Sequence, residues 1–315
     1  VQLERFPLPS PGPHEVRVRI DVSLMSTGTE NIVFNQLYDP GSGWENYAKF
    51  PFYPGYAAIG TVEGAGEHAG PFRPGMRVAC RSGHQSHVNM WAGGCHPVPA
   101  TLSQGEAVWF APAKIAFQAK RVAGLQPGDR VLVLGAGPIG QMAVRWAHEA
   151  GATTVIAIDR NPVRAQLALA GGATAAPCLP VAEARDAILA ANGGELPRVV
   201  IDTTGNAQVF ATALGLARDF GTVALLGITG RPAQQSLTGD VVRRGLHIAG
   251  VHDCHDTPEW NESTITKLFL DLSVAGRFPL GGLNTHFFAP DDCAEAYATA
   301  NRERAKTMGI LFRWT

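Results

Sequence analysis

The chain has 315 residues, more than one ordinary hydrophobic core holds and enough for two. Apolar residues make up 45%, the globular average, and charged ones only 17%; with 36 glycines this points to buried parallel sheet joined by tight turns. Lys and Arg number 26 against 27 Asp and Glu, a formal charge of −1 that provides no basic stripe for nucleic acid. The longest apolar runs, such as 131–134 and 223–226, are strand-sized, so no membrane span is expected. No signal peptide is read at the start. Cys80, Cys95, Cys178, Cys254 and Cys293 are scattered and odd in number, which fits a reducing cytoplasm better than a disulfide framework.

The first third reads as β-rich. Val16, Val18, Ile20 and Val22 alternate with Arg17, Arg19 and Asp21, the period of a half-buried strand over 16–22. Further short strands are expected at 57–63, 77–79 and 87–90, separated by Pro/Gly clusters at 9–13, 71–75 and 93–94. After about residue 113 helical stretches alternate with Val/Ile/Leu-rich strands at 130–134, 154–158, 199–202, 222–226 and 246–251. That alternation implies a parallel sheet covered on both faces. Beyond residue 252 come a helix over 259–274, a strand at 284–287, a helix near 291–301 and a closing strand at 308–314. This tail is too small to stand alone and is expected to complete the first domain. The expected fold is therefore α/β: a doubly wound Rossmann sheet over 114–252, and a β-rich domain made of 1–113 and 253–315.

The strongest motif is Val131-Leu132-Val133-Leu134-Gly135-Ala136-Gly137-Pro138-Ile139-Gly140. A lone GxGxxG is weak evidence in a glycine-rich chain. This one follows an apolar strand, opens a helix, and precedes a second strand ending in Asp159, which is the full context of the dinucleotide fingerprint. Gly135 allows the tight turn, Gly137 the approach of backbone to pyrophosphate, and Gly140 the helix–strand contact, while the helix N-terminus offers N–H groups to phosphate. Asp159 suits the hydroxyls of an adenosine ribose and repels a 2′-phosphate, so NAD is favoured over NADP; Arg160 beside it softens that preference. Thr203, Thr204 and Gly227 end later strands and are placed at the ribose and nicotinamide, with ordinary turns as the alternative.

The order of a β-rich part, a Rossmann segment and a C-terminal return resembles the medium-chain dehydrogenase/reductase superfamily, relatives of zinc alcohol dehydrogenase, over essentially the whole chain. The resemblance rests on Pro54-Gly55-Tyr56-Ala57-Ala58-Ile59-Gly60-Thr61-Val62, Gly75-Met76-Arg77-Val78, Leu125-Gln126-Pro127-Gly128-Asp129-Arg130-Val131 and Thr285-His286-Phe287. It implies a GroES-like first domain. The stretches that carry zinc ligands in that superfamily read Ser26-Thr27-Gly28-Thr29-Glu30, Pro54-Gly55-Tyr56-Ala57 and Phe110-Ala111-Pro112 here, so Thr27, Tyr56, Ala57 and Ala111 fill the ligand positions. The four-cysteine structural zinc loop is absent as well. This pattern looks like a zinc-free branch that includes bacteriochlorophyllide dehydrogenases and sugar- or cyclitol-cluster dehydrogenases. A competing metal patch of Cys80, His84, His87, Cys95 and His96 lacks any Cys-x-x-Cys clamp and is set aside.

Hydride transfer to a ketone builds negative charge on oxygen, which something other than zinc must then stabilise. Lys114, beside the former third-ligand position, is expected to polarise a carbonyl. Tyr56 is expected to hydrogen-bond the substrate oxygen, and Thr27 with Ser26 to relay a proton toward solvent or a ribose hydroxyl; the resemblance implies for Glu30 an acid that contacts the zinc's surroundings or the substrate. Packing or solvated roles are the alternatives for each. The aromatic stretch 34–52 supplies the substrate walls, Tyr38, Trp44 and Tyr47, interleaved with Asn35, Gln36, Glu45 and Asn46; it suits a polyol ring and equally a planar pigment. The stretch 252–256, His-Asp-Cys-His-Asp, is read as an exposed loop. The activity expected is NAD-linked oxidation of a secondary alcohol or reduction of a ketone. Zinc-free enone or quinone reduction, and a non-catalytic dinucleotide-binding protein, are the other readings. Strand 246–251 is apolar enough to pair across a two-fold axis in a homodimer or homotetramer.

Overall fold

The computed structural model describes residues 1–314. In chain order its strands are β1 (Glu15–Leu24), β2 (Ala58–Ala65), β3 (Arg77–Cys80), β4 (His87–Trp91), β5 (Cys95–Pro97), β6 (Arg130–Leu134), β7 (Thr154–Ile158), β8 (Val199–Asp202), β9 (Thr222–Leu225), β10 (His247–Gly250), β11 (Asn284–Phe288) and β12 (Gly309–Arg313). Its helices are α1 (Thr29–Phe34), α2 (Gly43–Tyr47), α3 (Gln104–Ala107), α4 (Phe110–Val122), α5 (Pro138–Glu149), α6 (Pro162–Ala170), α7 (Arg185–Ala191), α8 (Ala207–Leu216), α9 (Asp240–Arg243), α10 (Glu262–Val274) and α11 (Cys293–Arg302). Among the described residues no helix is long and apolar enough to cross a membrane.

The first compact unit comprises Val1–Gln36, Lys49–Ala111 and the chain from Pro258 onward. Its sheet runs β11-β12-β1-β2-β3-β5, with β4 also paired to β1. β1 is the organising strand: β2 lies antiparallel to it from Val16 to Ser23, β4 pairs with its first half and β12 with its last three residues. Val16, Val18 and Ile20 are fully buried, while Arg17 and Arg19 between them are partly exposed. Each such Val or Ile contributes about 1.5–3 kcal/mol relative to exposure. They pack with Ala58, Val62, Val78, Cys80 and Cys95. The C-terminal return adds a second cluster, in which Tyr297, Ala300, Ile310 and Phe312 enclose Met25.

The second unit comprises Leu37–Ala48 and Pro112–Thr257. Residues 37–48 thus join it, although the sequence expectation grouped them with the first domain. Its sheet is parallel throughout, in the order β10-β9-β8-β6-β7. Val131, Leu132, Val133 and Leu134 are all fully buried, because both faces of β6 are covered; this is why the run shows no alternation. The chain leaves β6 for β7 on one side and later returns to β8 on the other. That reversal opens a crevice at the carboxyl ends of β6 and β8.

Candidate active site

The turn after β6 occupies that crevice. Gly135 has φ +85°, and a Cβ there would meet Thr204 and Thr203 at 2.8 and 2.9 Å. At Gly140 a Cβ would fall 2.0 Å from the Gly135 carbonyl oxygen, so only glycine lets α5 pack against this turn. Gly137 caps α5 with no side-chain acceptor, and Pro138 and Ile139 form its first turn. A Cβ at Gly137 would touch only the far end of Arg164, leaving the space an anion would occupy. Thr203 Oγ1 lies 2.9 and 3.0 Å from the carbonyls of Leu134 and Gly135, and Gly227 N–H donates to the Asp202 carbonyl. Thr204 donates through N–H and hydroxyl to Asp202 Oδ1 at 2.8 and 2.7 Å. Burial pushes the Asp202 carboxyl above its usual range against the opposing pull of those Thr204 bonds.

Asp159, at the end of β7, accepts from the N–H of Ala136 (2.8 Å) on one oxygen and of Asn161 (2.9 Å) on the other. A carboxylate has about four acceptor positions, so capacity for ribose hydroxyls remains. Arg160 is exposed beside it, and Arg164 Nη1 stands 4.0 Å from Asp159 Oδ2. Gly135, Gly137, Gly140, Asp159, Thr203, Thr204 and Gly227 therefore line one end of one sheet.

In the same unit, residues 37–48 dock on the loop after β9. Trp44 Nε1 donates to the Thr229 carbonyl at 2.9 Å, Asp39 N–H to that of Gly230 at 2.8 Å, and Trp44 is 8% exposed. Trp44, expected as a substrate wall, is thus an anchor: its indole is consumed in holding the segment down. Tyr47 packs edge-on against Trp44 and is largely exposed, and Tyr38 is half-buried.

Lys114 also departs from expectation. Its side chain is buried, its ammonium donates to the Asp253 carbonyl, and it pairs with Asp256 Oδ1 at 2.9 Å and Asp253 Oδ1 at 3.1 Å. A cation saturated by three oxygens is a strut, and it fixes the stretch expected to be a plain exposed loop. His252 Nδ1 and Cys254 Sγ approach to 3.0 Å on the outer side of that stretch.

In the first unit, the loop 26–30 leads into α1, and Glu30 is buried at its start. Glu30 accepts from Ser26 N–H (2.7 Å) and Tyr297 OH, and His84 Nε2 lies 3.3 Å from both its oxygens. Burial, and then the Glu30 charge, push the Tyr297 phenol far above its ordinary value, so it stays a donor. Tyr56 OH donates to Ser26 Oγ at 2.8 Å, and the Arg81 guanidinium sits 5.5 Å from the Tyr56 ring centre. Thr27 is half-buried in the same loop. His84 and Tyr297 as partners of Glu30 escape sequence reasoning; they lie 54 and 267 positions away.

Thr27 and Tyr56 offer only an alcohol and a phenol oxygen, and Ala57 and Ala111, both fully buried, offer no donor atom. Zinc sites are built from thiolate, imidazole and carboxylate, so this donor set does not fit a catalytic zinc. The side chains of the competing Cys/His patch have separate partners. Cys80 and Cys95 face each other across β3 and β5, their thiols pushed up by burial (Cys95 to about 11). His96 meets Glu262 at 3.4 Å, His87 meets Glu63 at 3.5 Å, and His84 turns to Glu30.

The sequence matches the family model of the alcohol dehydrogenase GroES-like domain over residues 12–118 and that of zinc-binding dehydrogenases over 138–269. L-threonine 3-dehydrogenase of Bacillus subtilis (strain 168) is 28% identical over 321 residues, covering 88% of each chain. Among solved structures, galactitol-1-phosphate dehydrogenase from Escherichia coli aligns with a TM-score of 0.81 at 19% identity, covering 99% of this chain and 96% of that one. A Sinorhizobium meliloti 1021 structure described as a zinc-binding dehydrogenase and bound to NADP aligns at 0.82 and 21% identity, covering 99% and 95%. At these identities the structural likeness establishes the fold.

Proposed function

We propose, for a chain that belongs to the medium-chain dehydrogenase/reductase superfamily and is an oxidoreductase of the alcohol dehydrogenase type, that it moves a hydride between NAD(H) and a secondary alcohol or ketone without zinc. The observation that carries the zinc-free reading is the donor set: an alcohol, a phenol and two alanines at the positions of the metal ligands. The Gly135–Gly140 turn with the α5 N-terminus would hold the pyrophosphate, and Asp159 the adenosine ribose, with Thr203, Thr204 and Gly227 bordering the rest. Asp159 disfavours a 2′-phosphate, which supports NAD over NADP. Bound there, the dinucleotide supplies or accepts the hydride.

The chain's own residues handle the oxygen. Tyr56 stands where the family's His ligand does; its phenol can turn from Ser26 Oγ to donate to a developing alkoxide, and the Ser26 hydroxyl can then donate its own proton to the phenol oxygen. A hydrogen bond to a charged group contributes about 1.5–3 kcal/mol, roughly ten- to a hundredfold in rate. Tyr38 and Tyr47, with apolar faces and polar rims, suit a sugar or cyclitol ring. The partly exposed edge strand β10 supports a homodimer, and five free cysteines favour a cytoplasmic setting.

The test is a panel of sugars, cyclitols and aromatic alcohols assayed for NAD reduction with and without a chelator. Turnover should be indifferent to the chelator, and Tyr56→Phe should lower kcat by about tenfold or more. Stoichiometric zinc that turnover requires would overturn the proposal. Because Lys114 is neutralised, a second reading gains weight: enone or quinone reduction, in which carbon receives the hydride and no strong acid is needed. Enone turnover that survives Tyr56→Phe, with no alcohol oxidised, would establish it instead.

A further inference from the structure

His84 joins two of the three stretches that carry the ligand positions, one through its imidazole and the other through its backbone. His84 Nε2 faces the Glu30 carboxylate at 3.3 Å, and that carboxylate also holds the loop 26–30 through Ser26 N–H. The backbone N–H of His84 donates to the Pro54 carbonyl at 2.8 Å. Gly55 has φ +99°, and a Cβ there would lie 2.7 Å from His84 N and 3.0 Å from His84 Nδ1. The backbone preceding Tyr56 is therefore pressed flat against His84, and only glycine permits that approach.

The ring is held from the remaining directions. Nδ1 is 2.8 Å from Ser23 Oγ, and that oxygen accepts from Trp314 Nε1 at 3.0 Å. With Trp314 donating to it, the Ser23 hydroxyl has its own proton for Nδ1, which leaves Nε2–H for Glu30; the tautomer is assigned from these donors. Phe312 stacks edge-on at 4.8 Å, and the His84 side chain is only 8% exposed. Every polar atom of the imidazole is thereby committed.

We propose that His84 is a positioning residue of the reaction: with Glu30 it makes the cross-link between the loops 26–30 and 54–57 that a shared metal ion makes in zinc-bearing relatives, and so fixes the Tyr56 phenol. This rests on the assignment of Tyr56 above. It acts through Glu30 and Gly55, and it needs no contact with substrate.

The test uses the full-length protein carrying 3-fluorotyrosine, whose five tyrosines give separate fluorine resonances, with Tyr56 assigned through Tyr56→Phe. His84→Gln retains an N–H that reaches Glu30; His84→Phe retains the ring against Phe312 and loses the donor. The expected result is a Tyr56 resonance that stays in place in His84→Gln and shifts and broadens in His84→Phe. With a substrate from the panel, kcat should fall about tenfold in His84→Phe and recover to within about threefold in His84→Gln, KM for NAD changing little in either. Should His84→Phe fail to fold, Ser23→Ala removes the hydroxyl that holds Nδ1, together with the acceptor of Trp314 Nε1, and should broaden the same resonance. A folded His84→Phe or Ser23→Ala protein with an unmoved Tyr56 resonance overturns the role of His84. Full alcohol turnover in Tyr56→Phe overturns the reading of Tyr56, so the two failures appear in different measurements.

Discussion

Replacing Lys114 by Met separates a strut from a catalytic acid. The side chain is 3% exposed on α4, and Met keeps most of its stem volume while removing the charge. Three oxygens lose the ammonium: the Asp253 carbonyl and one carboxylate oxygen each from Asp253 and Asp256. Removing one member of a fully buried pair costs about 3–5 kcal/mol, because the other charge is stranded. Here the Asp253 and Asp256 side chains are 32% and 38% exposed, and Gln118 still donates to Asp256 at 3.0 Å. Water and that amide take over part of the solvation, so about 2–3 kcal/mol is the expected loss. Urea unfolding should show it, and neutralising both stranded carboxylates in Lys114→Met/Asp253→Asn/Asp256→Asn should restore about half. Turnover of the folded single variant should persist. Stability within about 0.5 kcal/mol of the parent, together with abolished turnover, would refute the strut and reinstate Lys114 in the chemistry.

Asp159→Ser removes the carboxylate that discriminates the ribose. KM for NAD should rise by about ten- to a hundredfold and NADP should become usable, read from initial rates with each dinucleotide. Asp129 is pushed up by burial but more strongly pulled down by its hydrogen bond to Arg198, the Gln126 N–H and the Arg198 charge, so its net shift is downward. A lowered carboxyl stabilises the fold above its unfolded value and ceases to as pH falls through the folded one. Asp129→Asn should therefore cost about 1–2 kcal/mol at neutral pH in denaturant titrations, the gap closing below pH ~4. A Cβ at Gly230 would fall 1.9 Å from the Leu37 carbonyl oxygen. Gly230→Ala should release Leu37–Ala48 to limited proteolysis and raise KM for the alcohol more than KM for NAD.

What was legible in the sequence was local. The strand 130–134, the helix opening after its glycines and the place of Asp159 just past the next strand could be read because a parallel strand covered on both faces needs only an apolar run, and the turn is contained in ten consecutive residues. β1 read correctly because Val16, Val18 and Ile20 alternate with arginines. The aromatic stretch 34–52 was visible as a feature but not as structure, since helices as short as α1 and α2 have too few turns to show a period. Its composition could not say that Trp44 faces inward to Thr229, 185 positions on. Lys114 could be placed near a ligand position, yet what decides its role, Asp253, is 139 positions away.

The same asymmetry bears on how a dehydrogenase of this kind would do without its metal. Exchanging ligands for Thr27, Tyr56, Ala57 and Ala111 is a change at four positions that any reader of the sequence can see. Deleting the ligands alone would leave two loops with no common partner and a buried Glu30 short of donors, a cost of roughly 1–3 kcal/mol per missing hydrogen bond. Glu30 instead collects Ser26 N–H, His84 and the Tyr297 phenol, from three separate parts of the unit. Ala57 and Ala111 are fully buried and bring no polar atom that would need a partner in the metal's place. On the zinc-free reading, then, replacing a metal means providing a new cross-link for the loops as well as a new acid for the substrate. The cross-link is the part that involves residues far from any motif.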